Sequence, residues 1–177
     1  MKIPRSLAAG CMLAAALAAP WASAADISKP VEALTLTDGS AFFGALFTGN
    51  NSGNTFSDRY TFSTSGLANL SADLTSHSGV PSNGLDITGF ALYSSGGGLV
   101  QAGNQLSTGT VDQWSLNSAN LAPGSYYLLV SGSMESQSAG KYYASASVQP
   151  VPEPENIAML LGGLGLLVAA SRRRPGA

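Results

Sequence analysis

Thr55-Phe56-Ser57-Asp58-Arg59-Tyr60-Thr61-Phe62-Ser63 decides how this chain folds. Rings stand at alternate positions, with hydroxyl and guanidinium side chains between them. Extended backbone sends successive side chains to opposite faces, whereas a helix would turn Phe62 away from Phe56 and Tyr60. One face of this strand therefore reads Phe56, Asp58, Tyr60, Phe62: three aromatic rings and one carboxyl group. A carboxyl group among buried rings is costly unless it is bonded. Asp58 must accept loop amides, meet a cation or sit at the wet end of the strand. Arg59 does not neutralise it, because alternation points Arg59 to the other face. Two readings stay open, a structural tether to neighbouring backbone and a calcium or ligand contact.

Outward from this stretch the same period of two recurs, broken at intervals of about 8–12 residues by Gly, Asn, Ser or Pro clusters. Strands are predicted over residues 31–37, 41–48, 67–76, 85–94, 110–116, 125–132 and 141–149. Asp38-Gly39 marks a tight turn and residues 49–54 a polar loop. Gly96-Gly97-Gly98 reads as a flexible connection. Pro123-Gly124 is a turn feeding a strand with Tyr126, Leu128 and Val130 on one face and Tyr127 and Leu129 on the other. Apolar on both faces, that strand belongs in the middle of a sheet. The pattern predicts an all-β sandwich or barrel over residues 25–149.

Both ends depart from this pattern. Residues 1–24 place Lys2 and Arg5 before an apolar run, residues 7–19, followed by Pro20, Trp21 and Ala22-Ser23-Ala24. That is the layout of a secretory signal peptide with an A-x-A cleavage site. The single cysteine, Cys11, would leave with it; the competing reading is a lipoprotein box. At the other end Pro150, Pro152 and Pro154 withhold three backbone donors, predicting an extended, protease-accessible segment over residues 150–156. A predicted transmembrane helix, residues 157–171, follows, and Arg172, Arg173 and Arg174 in the basic tail, residues 172–177, would stop translocation and stay cytoplasmic. The apolar run is short: residues 157–170 extend roughly 21 Å against a hydrocarbon core of about 30 Å.

Val151-Pro152-Glu153-Pro154, the apolar run and the arginine cluster together resemble a PEP-CTERM sorting signal. The resemblance implies recognition by an exosortase, a membrane-embedded cysteine protease, with Pro152, Glu153 and Pro154 as the recognised residues. Phe56-x-Asp58-x-Tyr60-x-Phe62 and the Pro123-Gly124-Ser125-Tyr126-Tyr127-Leu128 strand are similar to the FxDxF family of PEP-CTERM proteins, with Tyr60 where the family name has phenylalanine. That strand is also similar to one in bacterial pre-peptidase C-terminal domains. What these resemblances imply is a single antiparallel, jelly-roll-like β-sandwich, held in the inner membrane with its body periplasmic until it is cleaved. The implied role is a non-enzymatic cell-envelope or extracellular matrix component, associated with exopolysaccharide and biofilm.

Between the ends, residues 25–152 hold Lys29, Arg59 and Lys141 against eight acids, a net charge of −5. That balance argues against nucleic acid, which needs a basic footprint. With no cysteine left, the fold must stand on its core. His77, the only histidine, lies in a Ser/Thr/Gly stretch that reads as a turn. There is no G-x-S-x-G elbow and no zinc spacing, so the expectation is a non-enzyme with neither cofactor nor metal. Asp38, Asp86 and Asp112, in predicted loops or at strand ends, are either calcium contacts or solubilising turn residues. Trp114, Tyr142 and Tyr143 are either sandwich filling or a platform for sugar rings. The second choice would make this a carbohydrate-binding module, the main alternative to a matrix component; a small secreted hydrolase ranks behind both.

Overall fold

A computed structural model describes residues 24–78, 84–137, 139–152 and 154–172. The strands are β1 (Glu32–Ala33), β2 (Ser40–Phe47), β3 (Thr55–Thr64), β4 (Ala68–Ser78), β5 (Leu85–Ser94), β6 (Leu99–Ala102), β7 (Asn104–Ser107), β8 (Gln113–Leu121), β9 (Gly124–Met134) and β10 (Gly140–Pro150). One helix follows, α1 (Pro154–Arg172). The strands form two five-stranded sheets, sheet A in the order β1-β3-β9-β5-β6 and sheet B in the order β2-β10-β4-β8-β7. Apart from the edge strands β1 and β7, first pairs with last: β2 with β10, β3 with β9, β4 with β8 and β5 with β6. This is one long hairpin rolled into two layers, the nesting expected of a jelly roll.

Alternation builds the core. Phe56, Asp58, Tyr60 and Phe62 all point inward from β3. On sheet B large and small residues sit side by side across strands, Phe43 beside Ala144, Tyr142 beside Ala45 and Phe47 beside Gly140. The small neighbours make room for rings to meet across the layers: Phe43 lies 4.3 Å from Tyr60 and Phe47 4.6 Å from Phe56, centroid to centroid. Gly132, under Phe56, is part of the same fit, since a Cβ there would stand 2.5 Å from the ring. Asp38 and Gly39, with φ of 52° and 76°, close the two-residue turn between Thr37 and Ser40. β9 lies between β3 and β5, with Leu128 and Val130 buried and Tyr127 and Leu129 half-buried outside, as its two apolar faces predicted.

Several expectations need correction. The strand predicted over residues 31–37 shrinks to β1, and it pairs parallel with β3, so the sandwich is not purely antiparallel. The strand predicted over 110–116 moves to β8, because Asp112 is occupied in a buried loop network. β6 and β7 were not expected; they lie at sheet edges with little buried, and a strand without a buried face carries no alternation to read. Gly96-Gly97-Gly98 is a bonded turn rather than a loose connection: the Ser94 amide donates to the Gly98 carbonyl at 2.8 Å and the Gly97 amide to the Ser94 carbonyl at 2.9 Å.

The C-terminal segment also differs. Pro150 closes β10, and the Val151 amide donates to the Leu67 carbonyl at 2.9 Å, so the extended stretch is shorter than 150–156. α1 begins at Pro154, since proline in the first turn forfeits no intrahelical bond. No helix among the described residues is long and apolar enough to cross a membrane. Over the segment predicted as a transmembrane helix, residues 157–171, the structure has α1, whose 19 residues include polar positions at both ends. The predicted signal peptide up to residue 23, including Cys11, lies outside the described residues, as do Glu153, Arg173 and Arg174. Arg172 is the last residue of α1.

Candidate functional site

Asp58 is 1 % exposed and lies between the two sheets. Its Oδ1 accepts the backbone amide of Lys29 at 2.7 Å, and the Tyr142 hydroxyl of β10 donates to its Oδ2. The Tyr60 and Tyr142 hydroxyl oxygens are 2.7 Å apart. Because Tyr142 directs its single hydrogen at Asp58, Tyr60 is the donor in that second bond. Burial pushes both phenols above their ordinary range, and for Tyr142 the bonds to Asp58 and Tyr60 push the same way. For Tyr60 the bond to Tyr142 pulls down, while the charges of Asp58 and Glu32 push up. Both phenols therefore keep their protons at neutral pH and remain donors.

Of the three fates open to Asp58, the loop amide is the one adopted, and the carboxyl is not at a wet end. Lys29 contributes its amide, while its Nζ donates to the Gly44 carbonyl at 2.9 Å, pairs with Glu32 at 3.2 Å and stands 5.9 Å from the centre of the Tyr60 ring. Arg59 points out of the sandwich, as alternation required, with its guanidinium 5.2 Å from the Tyr127 ring centre. The arrangement joins sheet A to sheet B through Asp58 and Tyr142 and pins the chain before β1 against both. Its chemistry is that of a bonded tether.

Asp112 forms a second sealed carboxyl, fully buried at 0 % exposure. Its Oδ2 accepts the Ser76 hydroxyl at 3.0 Å and the Ile87 amide at 2.9 Å, and its Oδ1 accepts the Gly109 amide at 3.0 Å. Its own amide donates to Ser76 Oγ at 2.9 Å. Asp112 is therefore neither a calcium contact nor a solubilising turn residue: protein donors meet both oxygens. Asp86 lies near enough to feel it; burial, then the charges of Asp112 and Glu135, hold the Asp86 carboxyl above the usual range. Asp38 sits apart in the turn before β2. Among the described residues no three His, Cys, Asp or Glu side chains gather as a metal site.

The predicted sugar platform is taken apart by the fold. Tyr142 is buried, and Trp114, on β8 across from Leu74 of β4, faces inward and packs half-buried against the core with its indole nitrogen unpartnered among the described residues. Only Tyr143 is outside, because adjacent residues of a strand take opposite faces. It is joined there by two residues that the sequence reading did not single out: Phe42 is 85 % exposed, Leu46 67 % and Tyr143 57 %. The signal was present, since Phe42 and Leu46 alternate with the buried Phe43 and Phe47. His77 is not in a turn; it is exposed on β4 opposite Lys141 and, with Leu46, Ala139 and Gly140, lines a shallow depression of about 170 Å3. Of the predicted sorting residues, Val151 is half-buried and Pro152 exposed.

No protein-family model matches the chain, and no curated protein matches it in sequence. Among solved structures it is similar to a pre-peptidase C-terminal domain of a collagenase from Bacillus anthracis, at 19% identity and a TM-score of 0.39, covering 71% of this chain and 95% of that one. It is similar also to a periplasmic inhibitor of g-type lysozyme from Aeromonas hydrophila, at 18% identity and a TM-score of 0.42, covering 72% of this chain and 100% of that one. At these scores neither likeness carries an argument, and the all-β sandwich rests on its own strand pairings.

Proposed function

We propose that this is an exported β-sandwich protein, delivered by its C-terminal Pro-Glu-Pro signal, cleaved there by an exosortase, and serving as a non-enzymatic component of the cell envelope or extracellular matrix in association with exopolysaccharide. The observation that supports this reading is the separateness of the tail. The sandwich ends at the Val151 bond to Leu67, Pro152 is exposed, and every described side chain of α1, residues 158–168 and 171, is exposed, including Met159, Leu160, Leu164 and Leu166. An apolar helix that the sandwich leaves uncovered needs apolar surroundings or removal. Docking at the inner membrane supplies the first until cleavage supplies the second. The interior of the sandwich is committed to packing and to two bonded carboxyls, which suits a matrix component.

The test is the intact mass and cell fraction of the mature protein in hosts with and without the sorting protease. The expected result is loss of α1 and the arginines only where the protease is present, with release of the body from the membrane fraction, and retention of the tail in a Glu153→Ala variant. The same carboxyl terminus in both hosts overturns the reading.

A further inference from the structure

The outer face of sheet B sets exposed apolar side chains beside hydroxyl and amide groups. Along β2 and β10 it carries Phe42, Tyr143 and Leu46, and Tyr143 stands directly opposite Gly44, which has no side chain to cover the ring. Strand spacing sets these three apolar groups in a row at steps of roughly 7 Å. Behind the row, β10, β4 and β8 present hydroxyl and amide groups; Ser145 aligns with Asp73 and Ser115, and Ser147 with Ser71, across the strands. A shallow depression of about 280 Å3 on this side is lined by Asn69, Ser71, Asn117, Ser147 and Gln149.

We propose that this face binds an uncharged polysaccharide, its pyranose rings lying on Tyr143 and Phe42 and its hydroxyls bonding to the serine and asparagine side chains of β4, β8 and β10. The inference deepens the exopolysaccharide reading above and rests on it. Chemistry selects the ligand. Three apolar side chains on a field of hydroxyls and amides fall well short of the roughly 800 Å2 that each partner gives to a stable protein interface. They suit the CH faces and hydroxyl edges of sugars. On the face itself Asp73 is offset by Lys141, which stands opposite Leu46 and His77, so the face carries no net charge to select a charged polymer, and the net charge of −5 on residues 25–152 disfavours an acidic one. The outer face of sheet A is the poorer platform, because Tyr93 and Tyr127 stack on each other at 5.2 Å and Arg59 covers Tyr127, leaving fewer open ring faces.

The experiment is affinity gel electrophoresis of the full-length protein in mild detergent, through gels containing a neutral β-glucan, a galactomannan or polygalacturonate. Retardation by at least one neutral polymer is expected, weakened roughly tenfold by Tyr143→Ala and by Phe42→Ala, and unchanged by Tyr127→Ala on sheet A. Circular dichroism melts of each variant separate lost binding from lost folding. Equal retardation by polygalacturonate, no retardation by either neutral polymer, or binding indifferent to both substitutions overturns the proposal. So does a concentration-dependent dimer that Phe42→Ala abolishes, which would give the face to a second copy of the chain. Intact mass of the protein from its host scores processing separately. A cleaved protein that binds no glycan defeats this inference alone, and an uncleaved one that binds defeats the sorting reading alone.

Discussion

Asp58 and Asp112 are both sealed inside the sandwich, and both bridge its layers, but they reach that position differently. Asp58 is a strand residue, carried inward by the alternation of β3 and met by one loop amide and one hydroxyl from the opposite sheet. Asp112 lies outside the strands, immediately before β8, and is met by three donors from three places: Ser76 on β4, Ile87 on β5 and Gly109 in the preceding loop. The difference predicts that the cost of losing a buried carboxyl follows the number of donors left without a partner, and not whether the carboxyl sits on a strand. A donor left unpaired in the interior costs about 1–3 kcal/mol, whereas a donor with a second acceptor nearby loses less.

The comparison breaks first at Asp112. Asp112→Ala strands the buried Ile87 amide and the buried Ser76 hydroxyl and also bares the Gly109 amide of the exposed loop, and is expected to cost about 4 kcal/mol in urea unfolding. Asp58→Ala is expected to cost less, about 2–3 kcal/mol, because Tyr142 keeps Tyr60 as a partner and only the half-buried Lys29 amide is left bare. If Asp58→Ala proves the more damaging, donor count is not what governs these sites. Tyr142→Phe removes the hydroxyl that meets Asp58 and is expected to cost about 2 kcal/mol, and Tyr60→Phe, at the far end of the chain of bonds, about 1 kcal/mol. A double-mutant cycle on Tyr60 and Tyr142 should show a coupling of at least 0.5 kcal/mol or so, as contacting members of one network do.

The smallest effect sharpens the comparison through pH. Both buried phenols have their pKa raised above the ordinary value of 10.0, so the folded protein holds these protons more tightly than the unfolded chain. Their contribution is fully present below that ordinary value and is lost as pH rises above it toward the folded values. Melting temperature should therefore fall above about pH 10, and fall less steeply in Tyr142→Phe than in the parent protein. Because no phenol serves Asp112, its variants should show the parent's alkaline slope. An alkaline slope that Tyr142→Phe leaves unchanged would detach the tyrosines from the stability of the fold.

How much of this was legible varies with the length and burial of each segment. β5 runs from Leu85 to Ser94 as its alternating pattern predicted, and β2, β3, β4, β9 and β10 lie within a few residues of expectation. The inward direction of Asp58 followed from its neighbours, but its partner Tyr142 lies 84 positions away and nothing local announces it. Asp112 is misplaced by the local pattern, because the period of two read over residues 110–116 puts it in a strand, whereas donors from β4, β5 and the preceding loop hold it just before β8. The edge strands β6 and β7 escaped for another reason, being short and exposed throughout. Trp114, Tyr142 and Tyr143 were grouped by chemistry, when alternation alone already placed the two tyrosines on opposite faces.

By itself the sequence determined that the body is built of strands and which side chains share a face, because alternation is a local property of extended backbone and needs no partner. Only the tertiary structure decided which Asp58 oxygen meets which donor, that Asp112 is sealed, and that Phe42 and Tyr143 share an open face. Those outcomes depend on pairing β2 with β10 and β3 with β9, which brings distant parts of the body together, and that choice belongs to the competition among all the strands for one core.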